Sequence, residues 1–266
     1  MGIRVGRTAS KEQYGFVYKR DKLSKIGEFQ FNDTSDAFER EPLIVRFRWS
    51  AGIDFTLIPM HAKPSDAVNE MNALIQVYEE STSIYGNDSI ILGDLNADCS
   101  YVCQSCWSGV QLRSESAFHW LIADDVDTTV SNSNCAYDRL IVTGDLLSKV
   151  CCADVFRFDT HFNLTQDEAL AVSDHFPVEL KLISDPVITT QATASPQTTS
   201  DTSPATSSSY VTSNASPTSL LSYVTSYTTS ETSSSYTSST ISSSTYGTSP
   251  IDQTQTVTEG NGSWKP

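Results

Sequence analysis

The sequence predicts a layered α/β domain over residues 1–184, followed by a disordered Ser/Thr-rich tail over 185–266. Two observations lead there. In the first part, short β-branched or aromatic runs alternate with stretches of helical spacing, the pattern of sheets covered by helices. From about Asp185 onward roughly half the residues are Ser or Thr and both Cys and His are absent. Branched apolar residues there are too sparse to bury a core that offsets chain entropy. A domain of about 184 residues buries roughly 70% of its unfolded surface, so it needs no cross-links merely to fold.

Strands are expected at residues 14–19 (YGFVYK), 43–49 (LIVRFRW), 55–60 (FTLIPM), 89–92 (SIIL), 137–143 (YDRLIVT) and 177–182 (PVELKL). Each run is bounded by polar or Gly punctuation and has strand length. Residues 65–85 place Val68, Met71, Leu74, Ile75 and Tyr78 at helical spacing, with Ser65 or Asp66 as the cap. A shorter helix is expected at 116–123 (SAFHWLIA). In such a domain polar residues at strand ends converge on one edge.

The formal charge is −15, of which residues 1–184, with 16 basic and 27 acidic side chains, contribute −11. A protein that held nucleic acid by phosphate neutralisation alone would be basic, so a simple nucleic-acid binder is disfavoured. An acidic enzyme acting on phosphate remains compatible if cations screen its carboxylates and a local Arg or Lys meets the phosphate. All six cysteines lie before residue 153, and sequons occur at Asn32, Asn87, Asn163, Asn214 and Asn261. Together these favour an oxidising, secretory environment. Met1 is nevertheless followed by GIRVGR, which has no apolar h-region, and no run is long enough to span a bilayer. The tail composition reads either as a flexible linker or as an O-glycosylated stalk, and the secretory signs favour the stalk.

Three polar clusters stand at the ends of expected strands. His61 follows the apolar run in IPMHA; taken alone, such a histidine is more often structural than catalytic. In SIILGDLNADCSY the strand breaks at Gly93 and presents Asp94 and Asn96, two apart on one face. Oxygen ligands of that kind suit a hard cation and a phosphate oxygen, although an Asx-rich turn is the competing explanation. SDHFP, residues 173–177, opens the last strand, while CAYDRLIV puts Asp138 just inside another. An Asp paired to a His fixes its tautomer and stabilises the imidazolium. Asp138 would support His175 in this way, leaving Asp174 free to bind metal.

The order of KEQYGFVYKRDKL, REPLIVRF, IPMHAKPSDAVNEMNAL, ILGDLNADCSYV, FHWLIADDVDTTVSNSNCAYDRLIV and SDHFPVELKL, over about residues 5–182, resembles the pancreatic-type deoxyribonucleases. These belong to the endonuclease/exonuclease/phosphatase superfamily. GD-x-N and SDH are shared across the superfamily, whereas KE-x-Y, HA-x-P-x-DAV and CAYDR point to the nuclease branch. The resemblance implies two packed mixed β-sheets flanked by helices, a four-layer sandwich.

It also implies a DNA endonuclease that leaves 3′-hydroxyl and 5′-phosphate ends. Two histidines would flank the scissile bond: His61, supported by Glu12, and His175, supported by Asp138. One takes a proton from water while the other protonates the departing 3′ oxygen. Asp94 and Asp174 would serve a catalytic Mg2+ or Mn2+, and Asn96 a phosphate oxygen. Arg40 and Tyr101 match positions that contact DNA phosphates, against a surface ion pair and a packed aromatic as the plainer explanations. Asp127 and Thr129 match a structural Ca2+ site, against a simple turn. Cys99 and Cys135 match the family disulfide. Cys103 and Cys106 leave open a small-loop disulfide, a redox pair or a zinc site. A monomer acting on double-stranded DNA is expected. The competing functions are a related phosphodiesterase, such as a sphingomyelinase, and a non-catalytic secreted homologue.

Two departures from the family pattern stand out. Residues 31–40 contain no Cys, so a small disulfide loop common in the family is absent. Family members also carry opening strands, with an Asn, a metal-binding Glu and a DNA-binding Arg, ahead of the KE-x-Y motif. Here only eleven residues precede Glu12. The expectation is a chain missing its opening segment and signal peptide, with an exposed sheet edge and a half-built metal site.

Overall fold

A computed structural model describes residues 1–9 and 11–184, together with the backbone of Ser219–Ser222. The rest of the expected tail, with Asn214 and Asn261, lies outside the described residues. The centre is a six-stranded mixed sheet. Its strands are β3 (Leu23–Gln30), β4 (Leu43–Trp49), β5 (Asp54–Pro59), β6 (Ser89–Asp94), β7 (His119–Trp120) and β8 (Asp138–Val142). The order is β3-β4-β5-β6-β8-β7, and only β5 and β6 run parallel.

The central strands are buried on both faces, which is why they read as nearly unbroken apolar runs. Leu43, Val45, Phe47 and Trp49 of β4 face one side with Leu57, Leu92 and Leu140, and Ile44 faces the other with Ile58, Ile91 and Ile141. Helix α1 (Ala67–Tyr85) crosses over from β5 to β6 and lays Met71, Leu74 and Val77 on that second side. Each such fully buried side chain contributes about 1.5–3 kcal/mol of transfer free energy, an upper figure because unfolded chains already bury some surface.

The first side is covered by a smaller sheet formed by β9 (Val150–Val155) and β10 (Val178–Ile183), through Leu180 and Leu182. The segment Ser219–Ser222, β11, pairs antiparallel with the other edge of β10. The short helix α2 (Gln111–Ser114) adds Leu112 to the core under α1, while short helices α3 (Phe158–His161) and α4 (Gln166–Val172) sit between β9 and β10 and pack Phe158 and Ala169 on Phe176. Helix α4 starts with a capping box, Thr165 accepting from the Glu168 N–H while Glu168 reaches back. A separate ribbon pairs β1 (Arg4–Val5) with β2 (Glu12–Gln13). A mixed six-stranded sheet packed on a second, small sheet and flanked by helices matches the expected α/β class, with the difference that the small sheet is antiparallel throughout and not mixed.

Several element boundaries differ from expectation. Residues 14–19 form no strand; the ladder stops at Gln13. Tyr14, Phe16 and Tyr18 still alternate, but they do so by packing on the main core, with Tyr18 edge-on to Phe47 at 5.0 Å, and without a strand ladder. Residues 116–123 hold the two-residue edge strand β7, His119–Trp120, instead of a helix. The apolar side chains there, Phe118, Trp120 and Ile122, follow a period of two, and His119 and Trp120 pair with Val142 and Ile141. The long helix begins one 3-10 turn later than expected, and Asp66 occupies its cap position without capping a backbone N–H.

Candidate active site

The polar clusters converge where β5, β6 and β8 end. Gly93 permits the approach of β6 to β5: its φ is 124°, and a Cβ there would lie 2.2 Å from the Met60 carbonyl. That contact fixes His61, one residue after Met60, beside Asp94, one residue after Gly93. Asp94 in turn pairs in register with Asp138 on β8.

Two histidine–carboxylate pairs result. His61 Nδ1 lies 2.8 Å from Glu12 Oε2, and His175 Nδ1 lies 2.6 Å from Asp138 Oδ2. Each pairing directs the other ring nitrogen away from its carboxylate. His61 Nε2 is 3.7 Å from Asp94 Oδ2. Ligand atoms of Asp94, Asp138 and His175 lie within 4.8 Å of one another. Asp94 therefore sits between the two pairs.

The electrostatics follow from that crowding. Burial, then the Asp138 charge, push the Asp94 carboxyl up to about 6, against opposing contributions from His175, His61 and the Asn96 N–H. Burial alone would lower His175; the Asp138 hydrogen bond and charge outweigh it and push the imidazole up to about 9. Burial would likewise raise Glu12, but the hydrogen bond and charge of His61, followed by Arg40, hold it below the usual carboxylate range.

Asn96 adopts a left-handed backbone, φ 49°, which Asn tolerates better than most residues. Its backbone N–H donates to Asp94 Oδ1 at 2.9 Å and its side-chain amide to the Ala62 carbonyl at 2.8 Å. Arg40 pairs with Glu12 Oε1 at 2.5 Å and reaches the His61 carbonyl at 3.4 Å, so it belongs to the His61 half of the site. Tyr14 is buried beneath: its hydroxyl accepts from the His61 N–H and donates to the Arg40 carbonyl.

Tyr101, 39% exposed, stands at the rim with its ring 5.2 Å from that of Tyr137, which stacks on His175 at 6.0 Å. Asp174 is exposed and lies outside the Asp94–Asp138–His175 trio. Its backbone carbonyl accepts from Val130 N–H. Asp127 Oδ1 accepts from the Thr129 N–H, the Thr129 hydroxyl and the Cys135 N–H, so the turn satisfies that oxygen without an ion. Thr129 forms a β-bridge to His175, which links this loop to the site.

Cys99 and Cys135 are joined by a disulfide, with Cα atoms 5.9 Å apart, and brace the Asp94–Asn96 loop against the Asp138 strand. Of the three possibilities for Cys103 and Cys106, the structure has the small-loop disulfide; Cys151 and Cys152 are free and exposed. Sequence reasoning passed over Tyr137, Tyr14 and Glu70. The first two stand inside KE-x-Y and CAYDR and in expected strands, which gave them a place but no role.

The oxygen-rich trio suits a hard divalent cation. Two carboxylates held together, one of them pushed up to about 6, relieve their repulsion by sharing a positive charge.

No family model matches the chain. Among curated proteins it is 46% identical over 182 residues to deoxyribonuclease-1-like 2 of Mus musculus, covering 66% of each chain. It is 43% identical over 189 residues to deoxyribonuclease-1 of Ovis aries, covering 67% of this chain and 73% of that one. The chain thus spans about two thirds of the length of the relatives it matches. Among solved structures, an endonuclease/exonuclease/phosphatase family protein from Bacteroides thetaiotaomicron aligns with a TM-score of 0.41 at 20% identity, over 61% of this chain and 64% of that one. The endonuclease domain of a telomere-specific non-LTR retrotransposon aligns with a TM-score of 0.40 at 20% identity, over 56% and 64%.

Proposed function

The chain belongs to the deoxyribonuclease-1 family, and from that premise we propose that the protein is a secreted, monomeric, divalent-metal-dependent endonuclease that hydrolyses double-stranded DNA to 5′-phosphate and 3′-hydroxyl ends. The observation that carries the proposal is the convergence of two His–carboxylate pairs on Asp94. Glu12 and Asp138 hold the Nδ1 protons, so the Nε2 atoms of His61 and His175 are the exchangeable sites. One accepts a proton from the attacking water, and the other donates to the 3′ oxygen as it leaves.

Asp94 and Asp174 would hold Mg2+ or Mn2+, with Asp138 close enough to Asp94 to share the charge. When bound, the cation neutralises these carboxylates beside phosphate and polarises the phosphoryl group. The Asn96 side chain lies beside Asp94, where it orients a phosphate oxygen. Arg40, braced by Glu12, offers a fork that fits the DNA backbone, and Tyr101 presents its ring and hydroxyl at the rim. Ca2+ at Asp127 and Thr129 rests on family likeness alone; its effect would reach His175 through the Thr129 bridge. Secretion is supported by two disulfides and by the exposure of Asn32, Asn87 and Asn163. No helix among the described residues is long and apolar enough to cross a membrane.

Plasmid nicking by the 266-residue chain and by the product of its full transcript tests the proposal. Relaxation of supercoiled DNA that stops in excess chelator is expected. Absence of nicking in both proteins, with folding intact by circular dichroism, overturns it.

A further inference from the structure

A fully buried carboxylate that takes no part in that chemistry lies behind the site. Glu70 is 0% exposed, although it sits in the first turn of α1, where an acidic residue ordinarily faces water and complements the helix dipole. Its side chain turns inward. Oε1 accepts the backbone N–H of Glu39 at 2.8 Å, and Oε2 accepts the backbone N–H of Lys63 at 3.1 Å. Those residues flank the site: Glu39 immediately precedes Arg40, and Lys63 follows His61 by two.

The connection is reinforced from outside. The Glu39 carboxylate, itself only 7% exposed, pairs with Lys63 Nζ at 3.2 Å and accepts the Arg7 N–H at 3.1 Å. Arg40 and His61 then meet at Glu12, at 2.5 and 2.8 Å. The loop before β4 and the loop after β5 are thus tied twice, once at the front through Glu12 and once at the back through Glu70. Only an ionised carboxylate offers acceptors on both atoms of its head; an amide of the same shape would turn its NH2 towards one of the two N–H groups.

We propose that Glu70 is a positioning residue that sets the distance between the Arg40 guanidinium and the His61 imidazole. One carboxylate fixes both backbones, so the group that grips phosphate and the group that moves the proton keep one spacing as DNA binds. A buried, doubly hydrogen-bonded carboxylate also costs desolvation, which burial and the nearby Asp66 express by raising its pKa against the two N–H bonds and Arg40. The inference goes beyond the proposed nuclease activity but rests on it for the roles of Arg40 and His61.

The test compares Glu70→Gln with Leu74→Ala, which opens the same core one turn further along the helix but removes no hydrogen bond to either loop. The imidazole nitrogen signals of His61 in NMR spectra give the first readout. They should shift or broaden in Glu70→Gln and stay in place in Leu74→Ala. In nicking assays corrected for the folded fraction, Glu70→Gln should lower kcat and raise KM, reducing kcat/KM by roughly tenfold to a hundredfold, as a displacement near 1 Å does. Leu74→Ala should leave kcat/KM per folded molecule unchanged.

Unaltered His61 signals in Glu70→Gln, or the same change in Leu74→Ala, overturn the proposal. If Glu70→Gln does not fold, Glu70→Asp, which keeps both acceptors on a shorter stem, is read in the same way. Failure of both to fold overturns it as well, because the residue would then be structural. A wild-type chain that cuts no DNA would count against the nuclease assignment, while the His61 signals would still decide the positioning role.

Discussion

Asp94→Asn should give a protein that is inactive and yet more stable than the wild type, provided cations are absent and the pH is above neutral. The carboxyl of Asp94 is pushed up from 3.8 to about 6 by burial and by Asp138. A carboxyl whose pKa is raised on folding holds its proton longer in the folded chain than in the unfolded one. Its favourable contribution is therefore fully present below pH 3.8 and is lost as pH rises through about 6. At 1.36 kcal/mol per pH unit the whole interval corresponds to about 3 kcal/mol, an upper value because 19% of the side chain still meets solvent. A working range is about 1–3 kcal/mol.

Asn keeps the oxygen that accepts from the Asn96 N–H and gives up the charge together with the long bond from the Asn96 amide to Oδ2 at 3.4 Å, so the variant escapes that loss. Thermal unfolding in excess EDTA at pH 7.5 should show Asp94→Asn melting about 2–10 °C above wild type, and the two curves should merge near pH 4. Adding Mg2+ should raise the wild type and leave the variant where it was. Equal melting temperatures in EDTA at pH 7.5, or an advantage that persists at pH 4, would refute the reasoning.

His61→Ala and His175→Ala should each lower kcat by about 10²–10⁴-fold with circular dichroism unchanged, as measured by plasmid nicking; near-full activity in either removes that residue from the mechanism. Arg40→Ala should raise KM more than it lowers kcat and flatten the salt dependence of DNA binding by the equivalent of about one phosphate contact. Asp124→Ala should destabilise the fold by about 1–2 kcal/mol in urea titrations, because the fully buried Arg139 loses its carboxylate partner and keeps only the Ile122 and Ala97 carbonyls. The Arg113 hydrogen bond, and after burial the Arg139 charge, hold Asp124 below the usual range. Its contribution is accordingly present above pH 3.8 and fades as the pH falls through the folded value. A thiol reagent should titrate two groups in the native chain, Cys151 and Cys152, and none of the four disulfide cysteines.

The sequence was most informative where a strand is buried on both faces. Residues 43–49 form the strand expected of them, because Leu43, Ile44, Val45, Phe47 and Trp49 fill both faces of the sheet and only Arg46 and Arg48 interrupt the run. It was least informative at edges. Strand β3, LSKIGEFQ, went unrecognised: Lys25 and Glu28 mark it as a charged edge, and its ladder shifts register between Lys25 and Gly27. Residues 14–19 show the opposite failure, since alternation reports side-chain packing and is silent about ladder partners.

Within the site, His61, His175, Glu12, Asp94, Asn96 and Asp138 were legible because motifs at strand ends carry them, and the sheet registers bring them together. Tyr137 was not, because an aromatic residue beside a strand looks like core wherever it occurs. Glu70 was hidden for a better reason. Its spacing puts it on the buried face, three residues after Ala67 and four before Leu74, but an acidic residue in a first turn ordinarily faces water, and only the tertiary approach of residues 39 and 63 supplies the N–H groups that satisfy it there.

Glu12, on which His61 depends, is carried by neither large sheet but by a ribbon of four paired residues, Arg4–Val5 against Glu12–Gln13. So small a unit opens at far lower free energy than the whole domain. Activity should therefore have its own melting point, below that of the fold, and a preparation judged intact by its spectrum can already be silent. Purification tags belong at the far end of the chain, and a single protease nick near Arg7 would make a well-behaved, soluble and useless sample.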